Sequence, residues 1–227
     1  MKKTYSCLIL FMAISFILIG CLPLSFVGTS TEEVLASREI PPPQPVELKP
    51  TVAVEQHTEY MIGEKGPSGG YVFYDKGSYV DGWRYIEVAP EVTEEGWMKW
   101  GGGGIKIKGT FGDVGMGYEN TALIVSLIGQ NDSYPALVCD ELEYNGFDDW
   151  FLPSVDELTL IYKNLVVTGI GDFTKDQYGY HSFWSSTVDS SGNNYIAFAY
   201  YLATHNGDIY SAGRDFPSPY VRAARRF

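Results

Sequence analysis

The chain has 227 residues, 28 of them acidic and 16 basic, giving a formal charge of −12 and a pI near 4.6. That balance excludes the cationic surfaces that hold nucleic acid or anionic lipid. Its three cysteines, Cys7, Cys21 and Cys139, form no CxxC pair or zinc cluster, and its 17 Tyr, 12 Phe and 5 Trp can build a core without a disulfide.

Lys2 and Lys3 precede a nearly unbroken apolar run over 7–19, the pattern of a secretory signal too short to span a bilayer. The run closes on Leu18-Ile19-Gly20-Cys21, which resembles the bacterial lipobox: small Gly20 fits the peptidase, and the Cys21 thiolate takes the diacylglycerol. Pro23 ends the segment too early for an uncleaved membrane helix. Residues 1–20 therefore read as a lipoprotein signal peptide, with Cys21 as the lipidation site. Their removal takes Cys7 and two lysines, moving the formal charge from −12 to −14. The membrane is the expected partner at this end, through the lipid anchor, with display at the outer membrane surface. Residues 21–58 contain Pro41-Pro42-Pro43-Gln44-Pro45 and Pro50 but few aromatics, and read as a Pro-rich disordered tether.

From residue 59 the texture is that of a folded domain, 59–227. Aromatic and β-branched runs at 70–75 and 83–88, separated by Lys76-Gly77 and Asp81-Gly82, predict a pair of strands. Gly101 to Gly104 is a flexible loop; no GK[ST] follows to make it a phosphate loop. A helix is expected over 118–128, apolar enough to be buried on most sides, and a shorter one over 134–143 with Pro135 in its first turn. A third begins at the Ser154/Glu157 capping box, with Leu158, Ile161, Tyr162 and Leu165 at helical spacing. Strand-like runs then cover 182–187, 195–202, 208–211 and 220–226. The fold class is α+β, with N- and C-terminal strands meeting in one antiparallel sheet beside two to three helices.

Five phrases in this order resemble the Lcl C-terminal domain family, named after a bacterial collagen-like adhesin. They are Gly66-Pro67-Ser68-Gly69-Gly70-Tyr71-Val72-Phe73-Tyr74-Asp75; Gly82-Trp83-Arg84-Tyr85-Ile86-Glu87-Val88-Ala89-Pro90; Cys139-Asp140-Glu141-Leu142 leading to Asp149-Trp150-Phe151-Leu152-Pro153-Ser154; Phe183-Trp184-Ser185-Ser186-Thr187; and Val221-Arg222-Ala223-Ala224-Arg225-Arg226-Phe227. The resemblance covers roughly 62–227 and implies a C-type-lectin-like fold, shared with formylglycine-generating enzymes and with the variable proteins of diversity-generating retroelements. It also implies surface attachment and binding of host surfaces or sulfated glycans. Two departures qualify that. The Glu-Pro-Asn, Gln-Pro-Asp and Trp-Asn-Asp motifs of calcium-dependent lectins are absent, and few basic residues beyond Arg222, Arg225 and Arg226 could meet sulfates.

No acid, base, nucleophile or metal set converges in the sequence, so neither catalysis nor a cofactor is expected. Cys139 reads as a buried helical residue, and Asp156 and Glu157 as first-turn carboxylates, with Asp148 or Asp149 available to a terminal arginine. Trp83, Trp150 and Trp184 read as core, whereas Trp97 and Trp100 flank the glycine loop and are expected to be open to solvent as further ligand-binding residues. In the 195–202 strand, Ile196, Phe198, Tyr200 and Leu202 form the core face, and Tyr195 and Tyr201 the contact face. With His205, Asn206 and Tyr210 these give an adaptable, tyrosine-rich binding surface. The expected ligand is a protein or glycan, neutral or basic, and not nucleic acid. A structural envelope lipoprotein without a ligand, or a retroelement-diversified variable receptor, remains the alternative.

Overall fold

Asp81-Gly82 closes the first hairpin with both residues at positive φ, 57° and 84°. This is the backbone a tight turn needs to match the twist of its strands, and Asp-Gly tolerates it. The turn joins Tyr71–Val80 (β1) to Trp83–Val88 (β2), antiparallel. In this computed structural model the described residues are 58–93, 98–173, 181–190, 198–217 and 219–227, all within the unit Glu55–Phe227.

Among the described residues three α-helices follow. Gly117–Ile128 (α1) buries only Gly117, Asn120, Thr121 and Ile124, a single stripe; Leu127 is exposed, which corrects the expectation of a helix buried on most sides. Pro135–Asp140 (α2) starts on Pro135 and ends three residues short of the expected 134–143. Val155–Ile161 (α3) starts on the expected capping box: Ser154 Oγ accepts from the Glu157 N–H at 3.3 Å, and Glu157 Oε2 from the Ser154 N–H at 2.6 Å. The helical spacing continues past α3 as a π-helical turn, Tyr162–Val166, which still buries Leu165.

Ser182–Val188 (β3), Phe198–Ala203 (β4) and Ile209–Gly213 (β5) form one antiparallel sheet; Ala224–Arg226 (β6) joins β2 in another, ordered β1-β2-β6. The terminal strands do meet, but as one of two small sheets and not as a single one. The 220–224 segment explains the division. Tyr220 bridges to Phe183 of β3, and four residues later Ala224 pairs with both Val88 and Phe151. One segment thus serves two ladders, and the sheets remain separate.

The β3-β4-β5 sheet is covered on both faces. Trp184 and Ala199 lie in a core with Ile124 of α1, Leu137 and Cys139 of α2, Trp100 and Trp150. Phe183 and Leu202 lie in a second core with Leu158 and Ile161 of α3, Phe73 of β1 and Ile86 of β2. Removing such side chains from water is the main stabilising contribution, about 1.5–3 kcal/mol for each fully buried large one.

Candidate functional site

The candidate site is built on the β4–β5 hairpin. Its turn uses Gly207 at a φ of 77°, and a Cβ there would collide with the Tyr162 ring, so glycine is required on both counts. The register places Tyr201 directly opposite Tyr210, and their rings stack at 5.6 Å with planes 28° apart. Tyr201 also meets Trp184 edge-on at 5.8 Å, and the Trp184 indole donates to the Met98 carbonyl at 2.9 Å. A ladder of three rings therefore runs from the core to the surface. Trp184 is fully buried, Tyr201 is half-buried, and Tyr210 is 41% exposed.

The turn supplies the polar rim. Asn206 Nδ2 donates to the Tyr210 hydroxyl oxygen at 3.2 Å, and the Tyr210 hydroxyl donates to Asp208 Oδ2 at 3.2 Å. Asn206 Nδ2 also donates to the Asp208 carboxylate, and the Asp208 N–H returns to Asn206 Oδ1 at 3.0 Å. His205 is exposed on the same turn. Tyr201, His205, Asn206 and Tyr210 are thus neighbours, whereas Tyr195, Trp97 and Cys21 lie outside the described residues. Asp208 was missed as a rim residue; the Asn206-Gly207-Asp208 turn signature was the signal that could have found it.

Two expectations need correction. Trp100 is 1% exposed, not open to solvent: its indole donates to the Ser185 carbonyl at 2.7 Å and Arg214 covers its ring at 5.1 Å. The glycine loop is tied to the same arginine: the Gly101 N–H donates to the Arg214 carbonyl at 3.3 Å, and the Arg214 guanidinium donates to the carbonyls of Gly102 and Ile105. The two-face division of β4 also fails. Ala199 and Ala203, on the Tyr201 face, are buried like Leu202 on the other, because both faces are covered. Burial, with Tyr210 as a second cause, raises the Tyr201 hydroxyl above its ordinary pKa. Trp83 is half-buried, with Lys76 Nζ 3.8 Å from its ring.

Several other polar groups are buried or paired within the domain. Cys139 is buried, and its thiol is pushed up by desolvation. Asp149 pairs with Arg225, which also reaches buried Glu87 at 3.1 Å. Arg222 is 1% exposed and donates to the carbonyls of Ala89, Pro90, Gly171 and Asp172 at 2.6–3.3 Å; burial lowers its pKa to about 10. Arg226 pairs with Glu119 at 2.9 Å. Asp189 accepts from Tyr200 at 2.9 Å and Ser211 at 2.7 Å, fixing β5 to the end of β3.

On the other face of the hairpin a cleft of about 420 Å³ runs between Tyr200, Ile209, Val155, Thr187 and exposed Phe111. It depends on the distant 110–112 segment and left no signal in the local pattern. Among the described residues no group of three His, Cys, Asp or Glu is placed to hold a metal. Set against protein-family models and curated proteins, the chain matches none.

Proposed function

We propose that this chain is a lipid-anchored envelope protein, acylated on Cys21, displaying a C-type-lectin-like binding module at the outer membrane surface. Its role is recognition or adhesion, not catalysis, and its ligand is a neutral or basic protein or glycan. One observation carries the reading: the Tyr201–Tyr210 pair is mounted on buried Trp184 and rimmed by Asn206 and Asp208. A platform already fixed by packing loses little side-chain entropy on binding, and its open ring face suits a sugar or a flat or cationic group. The lectin-like assignment draws on the five sequence phrases and on the α+β architecture. The engagement of Arg222, Arg225 and Arg226 within the domain speaks against a polysulfated ligand.

The test is capture of immobilised glycans and proteins by the full chain and by Tyr210→Ala. Exposed Tyr210 can be truncated at little cost to folding, so thermal melting should hold while capture falls about tenfold, ~1.4 kcal/mol. Unchanged capture would remove the platform from the site. Palmitate labelling that persists in Cys21→Ser would overturn the anchor.

A further inference from the structure

We infer that the outer edge of β5 receives an extended, basic segment of a partner protein by strand addition, an inference that rests on the tyrosine platform being the binding site. Among the described residues β5 pairs with β4 alone. The Ala203 N–H donates to the Asp208 carbonyl at 3.0 Å. Counting in twos from that bond along an antiparallel ladder, Tyr210 and Ala212 turn their peptide groups to β4, and Ile209 and Ser211 turn theirs outward.

Among the described residues the other sheet edges are blunted and this one, over Ile209–Gly213, is not. β1 is broken by two register shifts and carries Lys76; β3 and β6 are bridged by Tyr220 and Phe151. The sequence Ile209-Tyr210-Ser211-Ala212-Gly213 has no Pro and no Lys, and its register against β4 is unbroken. An edge of that kind is a template for another chain.

Charge selects the occupant. The Asp208 carboxylate stands beside the Tyr210 hydroxyl at 3.2 Å, so a Lys or Arg side chain laid on the open face of Tyr210 meets ring quadrupole and carboxylate together. The net charge of −12 attracts such a segment from a distance. Alternate side chains of an added strand point to the opposite face, towards Ile209, Tyr200 and the Phe111 cleft, which accepts apolar groups. The row of outward peptide groups favours a polypeptide over a glycan, because only a polypeptide returns N–H and C=O at strand spacing.

The experiment uses the full chain with immobilised octapeptides in which Lys alternates with Val, a Glu–Val set, and a Lys–Val set N-methylated at alternate residues; chitosan oligosaccharides represent a cationic glycan. The expected result is capture of the unmethylated Lys–Val set alone, weakened about tenfold by Asp208→Asn or Tyr210→Ala and weakened further by salt. Ser211→Pro removes an outward N–H and should abolish capture; Ser211→Ala, which loses only the hydroxyl bond to Asp189, should not. N-methylation reports on the same bonds even where Ser211→Pro fails to fold. Equal capture of the methylated set, or capture of chitosan alone, overturns strand addition; where Tyr210→Ala still abolishes that capture, the platform stands. Capture of no probe also overturns strand addition, and the Tyr210→Ala array then judges the platform by itself.

Discussion

Burial pushes the Glu157 carboxyl up to about 7, against the opposing pull of backbone N–H groups from Ser154, Gly115 and Gly117. A carboxyl raised from 4.5 holds its proton more tightly in the fold than in the unfolded chain, so protonation favours folding. That contribution, on the order of 3 kcal/mol, is complete below about pH 4.5 and is lost as pH rises through about 7. Denaturant unfolding followed from about pH 5 to 8 should therefore lose stability more steeply in wild type than in Glu157→Gln, which cannot titrate. Parallel pH profiles would count against this. Arg222 acts differently, because its planar fork meets four carbonyls that no single ammonium can reach. Arg222→Lys should cost about 2–3 kcal/mol, read as a lower denaturant midpoint at unchanged slope. The two stacked tyrosines should separate in the same assay. Half-buried Tyr201, packed on Trp184, should lose about 1–2 kcal/mol as Ala, while exposed Tyr210 stays within about 0.5 kcal/mol.

Elements set by neighbours in sequence behave as their sequences say. Ser154 caps α3 and also donates to the Asp113 carbonyl at 2.9 Å, so Ser154→Ala should cost about 1–2 kcal/mol in thermal unfolding. A cost near zero would show that the Glu157 carboxyl, through its bond from the residue-154 N–H, holds the helix start by itself. That cap was legible because Ser154 and Glu157 are three residues apart, and the first hairpin because Asp81-Gly82 is a turn by itself. The Tyr201–Tyr210 pairing was legible for the same reason, since a short hairpin brings the two strands together. The burial of Trp100 was not, because it depends on Ser185 and Arg214, far along the chain. Alternation along β4 misled because period two assigns one wet face, and here α1 and α2 cover one side while α3 covers the other. The π-helical turn after α3 kept its helical spacing in sequence, so nothing local announced the change of hydrogen bonding.

At the scale of the whole molecule, the bonds that matter join the two ends of the domain. Arg225 lies between buried Glu87 and Asp149, 138 and 76 residues away. Glu87 Oε1 accepts from both that guanidinium, at 3.1 Å, and the Ser68 N–H, at 3.3 Å, while Oε2 accepts no hydrogen bond among the described residues, so Arg225 is the one cation that offsets the burial of this carboxyl there. Arg225→Met should cost about 3–5 kcal/mol, and pairing it with Glu87→Gln should restore part of that loss; strict additivity would refute the coupling. Such distant pairings, and the division into two sheets that depends on 220–224, lie beyond any local pattern. Tyr60, at the entry to the domain, and Phe227 touch ring to ring at 5.3 Å, both against Tyr85. The folded path is consequently almost a closed loop, and where it is cut matters less than that it closes. A short linker joining Phe227 to Tyr60, with new ends opened in the 129–133 turn, should yield a circular permutant with the same sheets, and with a tyrosine platform whose place in space owes nothing to its place in the reading order.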